Sequence, residues 1–259
     1  MSQGDNYHSM KKATAPITFV SFLWNDGFRD YQPYQVNMQA RALRHFCTFP
    51  HRYVCVSDVL EGFSREVEVL PMPSEAARMG SLSAPQGKQF PSSYRRLWCF
   101  SEEAKILGER IMLLDIDAMI LKNLSPLLQI DADFVGWRPM SIWGREDRIG
   151  GGTWMLRTGA LTSVWERFCA NPSGLIAETL KMGWTGSDQA ILSRFLVKDY
   201  PTWPRYCGIY GSQDGVFEWE KPPEDALIVH FNGDGKMWGQ NKLWMRAYCN
   251  YFGEKDGIV

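Results

Sequence analysis

The sequence predicts an α/β fold in which a mostly parallel central sheet is flanked by helices. Three observations predict it. Apolar, β-forming runs alternate with stretches of helical spacing, the run at 110–114 is apolar on both faces, and 45% hydrophobic content over 259 residues suffices for one substantial core. The expected organisation is a single domain over 1–259, with 1–14 flexible and 200–223 an irregular lobe over the site.

The run 17–23 reads as a buried first strand, closed by the turn signal Asn25-Asp26-Gly27. Val36, Ala40, Leu43 and Cys47 then recur at helical spacing, and 52–57 and 67–70 follow as strands. From 72 to 91 the chain is rich in Pro, Ser, Gly and Ala without periodicity, which predicts a long connection. Leu97, Phe100, Ala104 and Leu107 mark a helix that leads into the strand 110–114. Further strands are expected near 134–137, 153–156 and 227–231, with helices near 161–169 and 187–196.

A formal net charge of -1 gives no general attraction to a polyanion, so coating of nucleic acid is disfavoured and a small molecule or neutral glycan is the expected partner. The six cysteines are scattered, which points to free thiols in a reducing compartment. The polar stretch 1–12 and the lack of any run of about 20 apolar residues set a soluble, cytoplasmic protein as the expectation. Eleven tryptophans could stack on sugar faces or fill the core.

Two carboxylates, Asp115 and Asp117, interrupt the apolar run 113–121. Charges at the end of a buried strand carry a desolvation cost on the order of several kcal/mol each, and a divalent cation is the simplest compensation. Side chains alternate along an extended chain, so this spacing would aim both aspartates at one ion while Ile116 points into the core. Solvated strand-end aspartates or turn caps would give the same pattern. Further on, His230 ends a strand and is followed by Gly233, Gly235 and Lys236. An imidazole beside carboxylate oxygens suits Mn²⁺ better than Ca²⁺, and the glycines and lysine suit a diphosphate. A structural strand-end histidine is the competing reading.

These segments resemble the GT-A glycosyltransferases of the retaining glycogenin and lipopolysaccharide galactosyltransferase type, the family-eight type, over 92–238. The ordered motifs are 93–97 with Arg95 and Arg96, Leu114-Asp115-Ile116-Asp117, the run 150–156, Gly186-Ser187-Asp188-Gln189, and 230–238. The resemblance implies a Rossmann-like GT-A fold and transfer of a hexose-type sugar from a nucleotide-diphosphate donor, a UDP-sugar, to a hydroxyl of a glycan, protein or other acceptor. It implies Mn²⁺ or Mg²⁺ held by Asp115, Asp117 and His230. It places Phe22, Trp24, Arg96, Asp115, Ile116, Gly233 and Lys236 at the donor, with Asp188 on the sugar hydroxyls and Gln189 beside the reacting carbon. The family's proline before the last tryptophan is Met237 here, and an Asn common in relatives is replaced within Gly151-Gly152-Thr153.

Departure of a nucleoside diphosphate builds negative charge that a metal and Lys236 would stabilise, and the resemblance implies retention at the anomeric carbon. A sugar-nucleotide hydrolase could use the same groups. A nucleotidyltransferase would need a better phosphate loop than Asn25-Asp26-Gly27. A carbohydrate-binding protein on a degenerate transferase fold is the non-enzyme alternative. Asp188 would also serve as a helix cap, and Trp203, Tyr206, Tyr210, Phe217 and Trp219 would form either an acceptor platform or a packed lobe. The acceptor and the oligomeric state stay open.

Overall fold

Strand β1 (Ile17–Leu23) parts its side chains between two cores, Phe19 and Leu23 to one face and Val20 and Phe22 to the other. The computed structural model describes residues 16–25, 31–83, 92–139, 147–184, 187–231 and 241–253. After β1 come α1 (Pro33–Phe46), β2 (His51–Ser57), β3 (Glu68–Pro71), α2 (Ser74–Met79) and β4 (Arg110–Leu114). Then follow β5 (Met119–Ile120), β6 (Phe134–Trp137), β7 (Gly150–Arg157), α3 (Thr162–Ala170), α4 (Pro172–Lys181) and α5 (Asp188–Leu196). The chain continues through β8 (Ile209–Gly211), β9 (Ile228–His230) and α6 (Leu243–Gly253).

Six strands form the central sheet in the order β3-β2-β1-β4-β7-β6. β1 pairs parallel with β2 and β4, and β2 with β3, while β7 runs antiparallel to both of its neighbours. Only β7 is therefore reversed, and the sheet is mostly parallel as the sequence predicts. The alternation seen in β1 recurs in β4, where Met112 and Leu114 oppose Ile111 and Leu113. That two-sided burial is why this run is continuously apolar.

A second sheet, β5-β9-β8, was not expected. Its β9 falls within the strand expected near 227–231, whereas β5 and β8, two and three residues long, are too short for a periodic signal. β5 follows the carboxylate segment directly and pairs antiparallel with β9, Met119 opposite Val229. One step further along that register, His230 comes level with Ala118.

Other departures have local causes. The single helix expected over 97–107 is two 3₁₀ segments, Tyr94–Phe100 and Glu102–Leu107, parted at Ser101, whose Oγ accepts the Ala104 N–H at 3.2 Å and caps the second. The long connection at 72–91 contains α2, and α4 and α6 complete the helices the sequence reading missed. In 200–223, Trp203 is buried and its Nε1 donates to the Leu127 carbonyl at 2.9 Å, so this ring is core rather than a platform, while Tyr206 is exposed. Trp98, Trp137, Trp154, Trp165 and Trp184 are buried as well, so packing accounts for more than half of the tryptophans. The expectation of a flexible 1–14 lies outside the described residues.

Helix α1 buries three amide side chains, Gln35, Asn37 and Gln39, and each is hydrogen-bonded. Gln35 accepts the Gln32 N–H at 2.6 Å, and Asn37 donates to the Gly62 carbonyl and accepts the Ser64 N–H. Buried amides are tolerated only when satisfied in this way.

Candidate active site at the carboxyl end of β4

Beyond Leu114 the chain leaves β4 and turns. The Ala118 N–H donates to the Asp115 carbonyl at 2.9 Å, a four-residue turn rather than an extended strand. The alternation argument for Asp115 and Asp117 is thereby corrected: a turn aims the two carboxylates at different neighbours. The Asp117 carboxylate accepts the Tyr31 hydroxyl at 2.9 Å, whereas Asp115 ion-pairs with Arg96. Ile116 is buried in the core, as expected from the sequence.

Arg96 joins two segments of the site. Its Nη1 meets Asp115 Oδ1, and its Nη2 lies 2.8 Å from Asp188 Oδ1 and 2.8 Å from Oδ2. Asp188 is 1% exposed and Arg96 8%. Burial pushes the Asp188 carboxyl above its ordinary range, and the guanidinium pulls the other way, toward the ionised form. Burial would favour loss of the guanidinium proton, but Asp188 and Asp115 outweigh it and hold Arg96 above its ordinary value. Asp188 sits in the first turn of α5, and Ser187 Oγ accepts the Ser93 N–H at 2.8 Å, tying that helix start to the segment that carries Arg96.

The other wall is β7. The Asp115 N–H donates to the Gly152 carbonyl at 2.9 Å, which continues the β4–β7 register and sets Gly152 opposite Asp115. A Cβ on Gly152 would lie 2.9 Å from His230 Nδ1 and 3.0 Å from Asp115 Oδ2. The glycine therefore leaves a small space onto which a carboxylate oxygen and an imidazole nitrogen both face. A Cβ on Gly151 would meet Gln189 Cβ at 3.1 Å, Arg96 Nη2 at 3.2 Å and Asp188 Oδ1 at 3.3 Å. Gln189 Oε1 accepts the Gly151 N–H at 3.3 Å. His230 is 1% exposed, stacks on Trp137 with ring centroids 4.6 Å apart, and shares a 2.7 Å hydrogen bond through Nε2 with Thr153 Oγ1.

An oxygen-and-imidazole pair facing one space suits a divalent cation of the Mn²⁺ kind, and Asp115 and Asp188 around one guanidinium leave the neighbourhood acidic. Among the described residues no three His, Cys, Asp or Glu side chains converge as a ready-made metal cluster. The structure brings Asp115 and His230 together. Asp117 would have to turn from Tyr31 to join them.

No protein-family model matches the sequence, and no curated protein matches it. Its shape does match solved structures. A galactosyltransferase, LgtC, in complex with donor and acceptor sugar analogues aligns with a TM-score of 0.62 at 12% identity, over 93% of this chain and 97% of that one. A glycosyltransferase of Streptococcus pneumoniae TIGR4, GlyE, gives 0.59 at 14% over 92% of this chain and 60% of that one. Mouse xyloside xylosyltransferase gives 0.51 at 12% over 84% and 98%. The chain has the GT-A glycosyltransferase fold.

Within the GT-A fold, Asp115, Arg96, Asp188, Gln189 and His230 gather at the carboxyl end of β4, where open α/β sheets hold ligands. Phe22 is 5% exposed and packs into the core, so its ring is not at the surface of this site. Trp24 is half-buried just past β1, with the Arg95 guanidinium 5.0 Å over its ring. Gly233 and Lys236 lie outside the described residues. The sequence reading missed Gly152 as a cradle, Thr153 and Trp137 as supports of His230, and Tyr31 on Asp117. Their only sequence signal was the triple glycine at 150–152, which was read as a departure from a motif rather than as space.

Proposed function

We propose that this protein is a metal-dependent glycosyltransferase that moves a hexose-type sugar from a UDP-sugar to an acceptor hydroxyl with retention. The space between Asp115 Oδ2 and His230 Nδ1 kept open by Gly152 is the observation that carries the reading. The GT-A fold and an LgtC crystallised with donor and acceptor sugar analogues support it, as does a variant of the same galactosyltransferase whose active-site glutamine is replaced by glutamate. Asp115, Asp117 and His230 would hold Mn²⁺ or Mg²⁺, which when bound stabilises charge on the departing diphosphate. Gly233 and Lys236 would meet that diphosphate, and Trp24 and the backbone at Phe22 and Ile116 the nucleoside.

Arg96 fixes the other half of the reaction. Paired with Arg96 at the start of α5, Asp188 would accept from sugar hydroxyls, and the adjacent Gln189, bonded to the Gly151 N–H, would face the sugar carbon. Among the described residues of the site, Asp115 and Asp188 are both paired with Arg96 rather than standing apart as a covalent nucleophile would. This favours attack by the acceptor hydroxyl on the face the diphosphate leaves.

Purified protein incubated with Mn²⁺, a panel of sugar nucleotides and a panel of glycans should release nucleoside diphosphate from one donor. The Asp117→Ala and His230→Ala variants should each lose on the order of 10²-fold or more of that rate. Free sugar without any acceptor product would replace transfer with hydrolysis. No metal-dependent release from any donor would contradict the proposal.

A further inference from the structure

Beneath the Asp115–Ala118 turn lies a buried polar cluster for which neither the fold nor the site described above gives a reason. Gln39, in the middle of α1, is 0% exposed. Its Nε2 donates to the Asp115 carbonyl at 2.8 Å and to the Ala118 carbonyl at 3.0 Å, the two ends of the turn. Its Oε1 accepts the Tyr53 hydroxyl at 2.6 Å and lies 3.0 Å from Ser21 Oγ, whose single proton is shared between this oxygen and the Leu114 carbonyl. Ser21 Oγ also lies 2.7 Å from the Leu114 carbonyl, at the last residue of β4. Both donors of the amide are thus occupied and its oxygen accepts from Tyr53, and the amide orientation is fixed by its partners: two carbonyls on one side, two hydroxyls on the other.

A leucine or methionine at position 39 would fill the same core face without a polar group to satisfy, as Val36, Ala40 and Leu43 do along the helix. A fully satisfied buried polar network instead specifies one arrangement of the backbone it touches. The backbone it touches here is the turn that carries Asp115 and Asp117. We propose that Gln39 is a positioning residue that holds the Asp115–Ala118 turn in the geometry from which its carboxylates bind the metal, with Tyr53 and Ser21 orienting the Gln39 amide. The metal part of this inference rests on the proposed function, whereas the ordering of the turn does not.

The test compares Gln39→Met with Tyr53→Phe in the full chain. Both remove buried hydrogen bonds, so both lower the melting temperature, but only Gln39→Met removes the donors that reach the turn. Amide hydrogen exchange of the peptide spanning 115–118 and Mn²⁺ affinity in the presence of UDP, followed by electron paramagnetic resonance, are read for both. In Gln39→Met, exchange at Ala118 should rise and Mn²⁺ affinity fall about 10–100-fold, the usual effect of losing a support behind metal ligands. Tyr53→Phe, which loosens the amide but keeps both Nε2 donors on the turn, should move both readouts in the same direction and by less than Gln39→Met. Unchanged exchange at 115–118 in folded Gln39→Met would overturn the positioning role. Raised exchange in a protein that binds no Mn²⁺ before substitution would keep the positioning role and remove the proposed function instead.

Discussion

Replacing Arg96 by leucine is expected to cost about 3–5 kcal/mol of stability and to abolish sugar transfer, because it strips the guanidinium from a carboxylate that water does not reach. Asp188 is 1% exposed, and both its oxygens lie 2.8 Å from Arg96 Nη2. Burial already raises its pKa, so without Arg96 it takes up a proton in the folded state at higher pH than when unfolded. A raised folded pKa contributes stability below the unfolded value and loses it as pH climbs through the folded one. The deficit of Arg96→Leu should therefore be smallest near pH 4 and widen toward neutrality, in urea titrations at a series of pH values. Adding Asp188→Leu should recover much of the stability, since an apolar pair of similar volume replaces a buried ion pair at little cost, but none of the transfer. A pH-independent deficit would mean that Asp188 finds another cation.

The substitution Gly152→Ala should leave the protein folded and close the site. Its Cβ would sit 2.9 Å from His230 Nδ1 and 3.0 Å from Asp115 Oδ2. Neither neighbour gives way easily: His230 is stacked on Trp137 and bonded to Thr153, and Asp115 is paired with Arg96. Crowding of this kind costs on the order of 1–3 kcal/mol, while misplacing metal ligands costs about 10–100-fold in affinity. Mn²⁺ titration should show that loss for Gly152→Ala. Gly151→Ala, whose Cβ meets Gln189, Arg96 and Asp188 at 3.1–3.3 Å, should lower transfer while leaving Mn²⁺ affinity near that of the parent. Equal metal affinity in all three proteins would show that the space beside Gly152 holds no ion.

Local pattern carried most of the fold into the sequence. The strands at 17–23 and 134–137 were legible to the residue because apolar β-formers are bounded there by polar or glycine-containing turns. In the second sheet only β9 was legible, within 227–231; β5 and β8 were not, because two or three residues have no period. At the site, residue type was legible and geometry was not. Asp115, Asp188 and His230 stand out as polar groups at the ends of apolar runs, but their assembly depends on contacts between distant segments. Arg96 reaches Asp188 across 92 residues, and Thr153 reaches His230 across 77. The Asp115–Asp117 spacing was read as extended chain, and Gln39, an amide that makes two hydrogen bonds to that turn, looked like any polar residue on a helix.

The most direct measurement is anomalous diffraction at the manganese edge from crystals grown with Mn²⁺ and UDP. A single manganese within bonding reach of Asp115, His230 and an Asp117 turned from Tyr31, with the UDP diphosphate on the same ion, is the result this account expects. UDP bound with no manganese there, His230 still between Trp137 and Thr153 and Asp117 still on Tyr31, would contradict it.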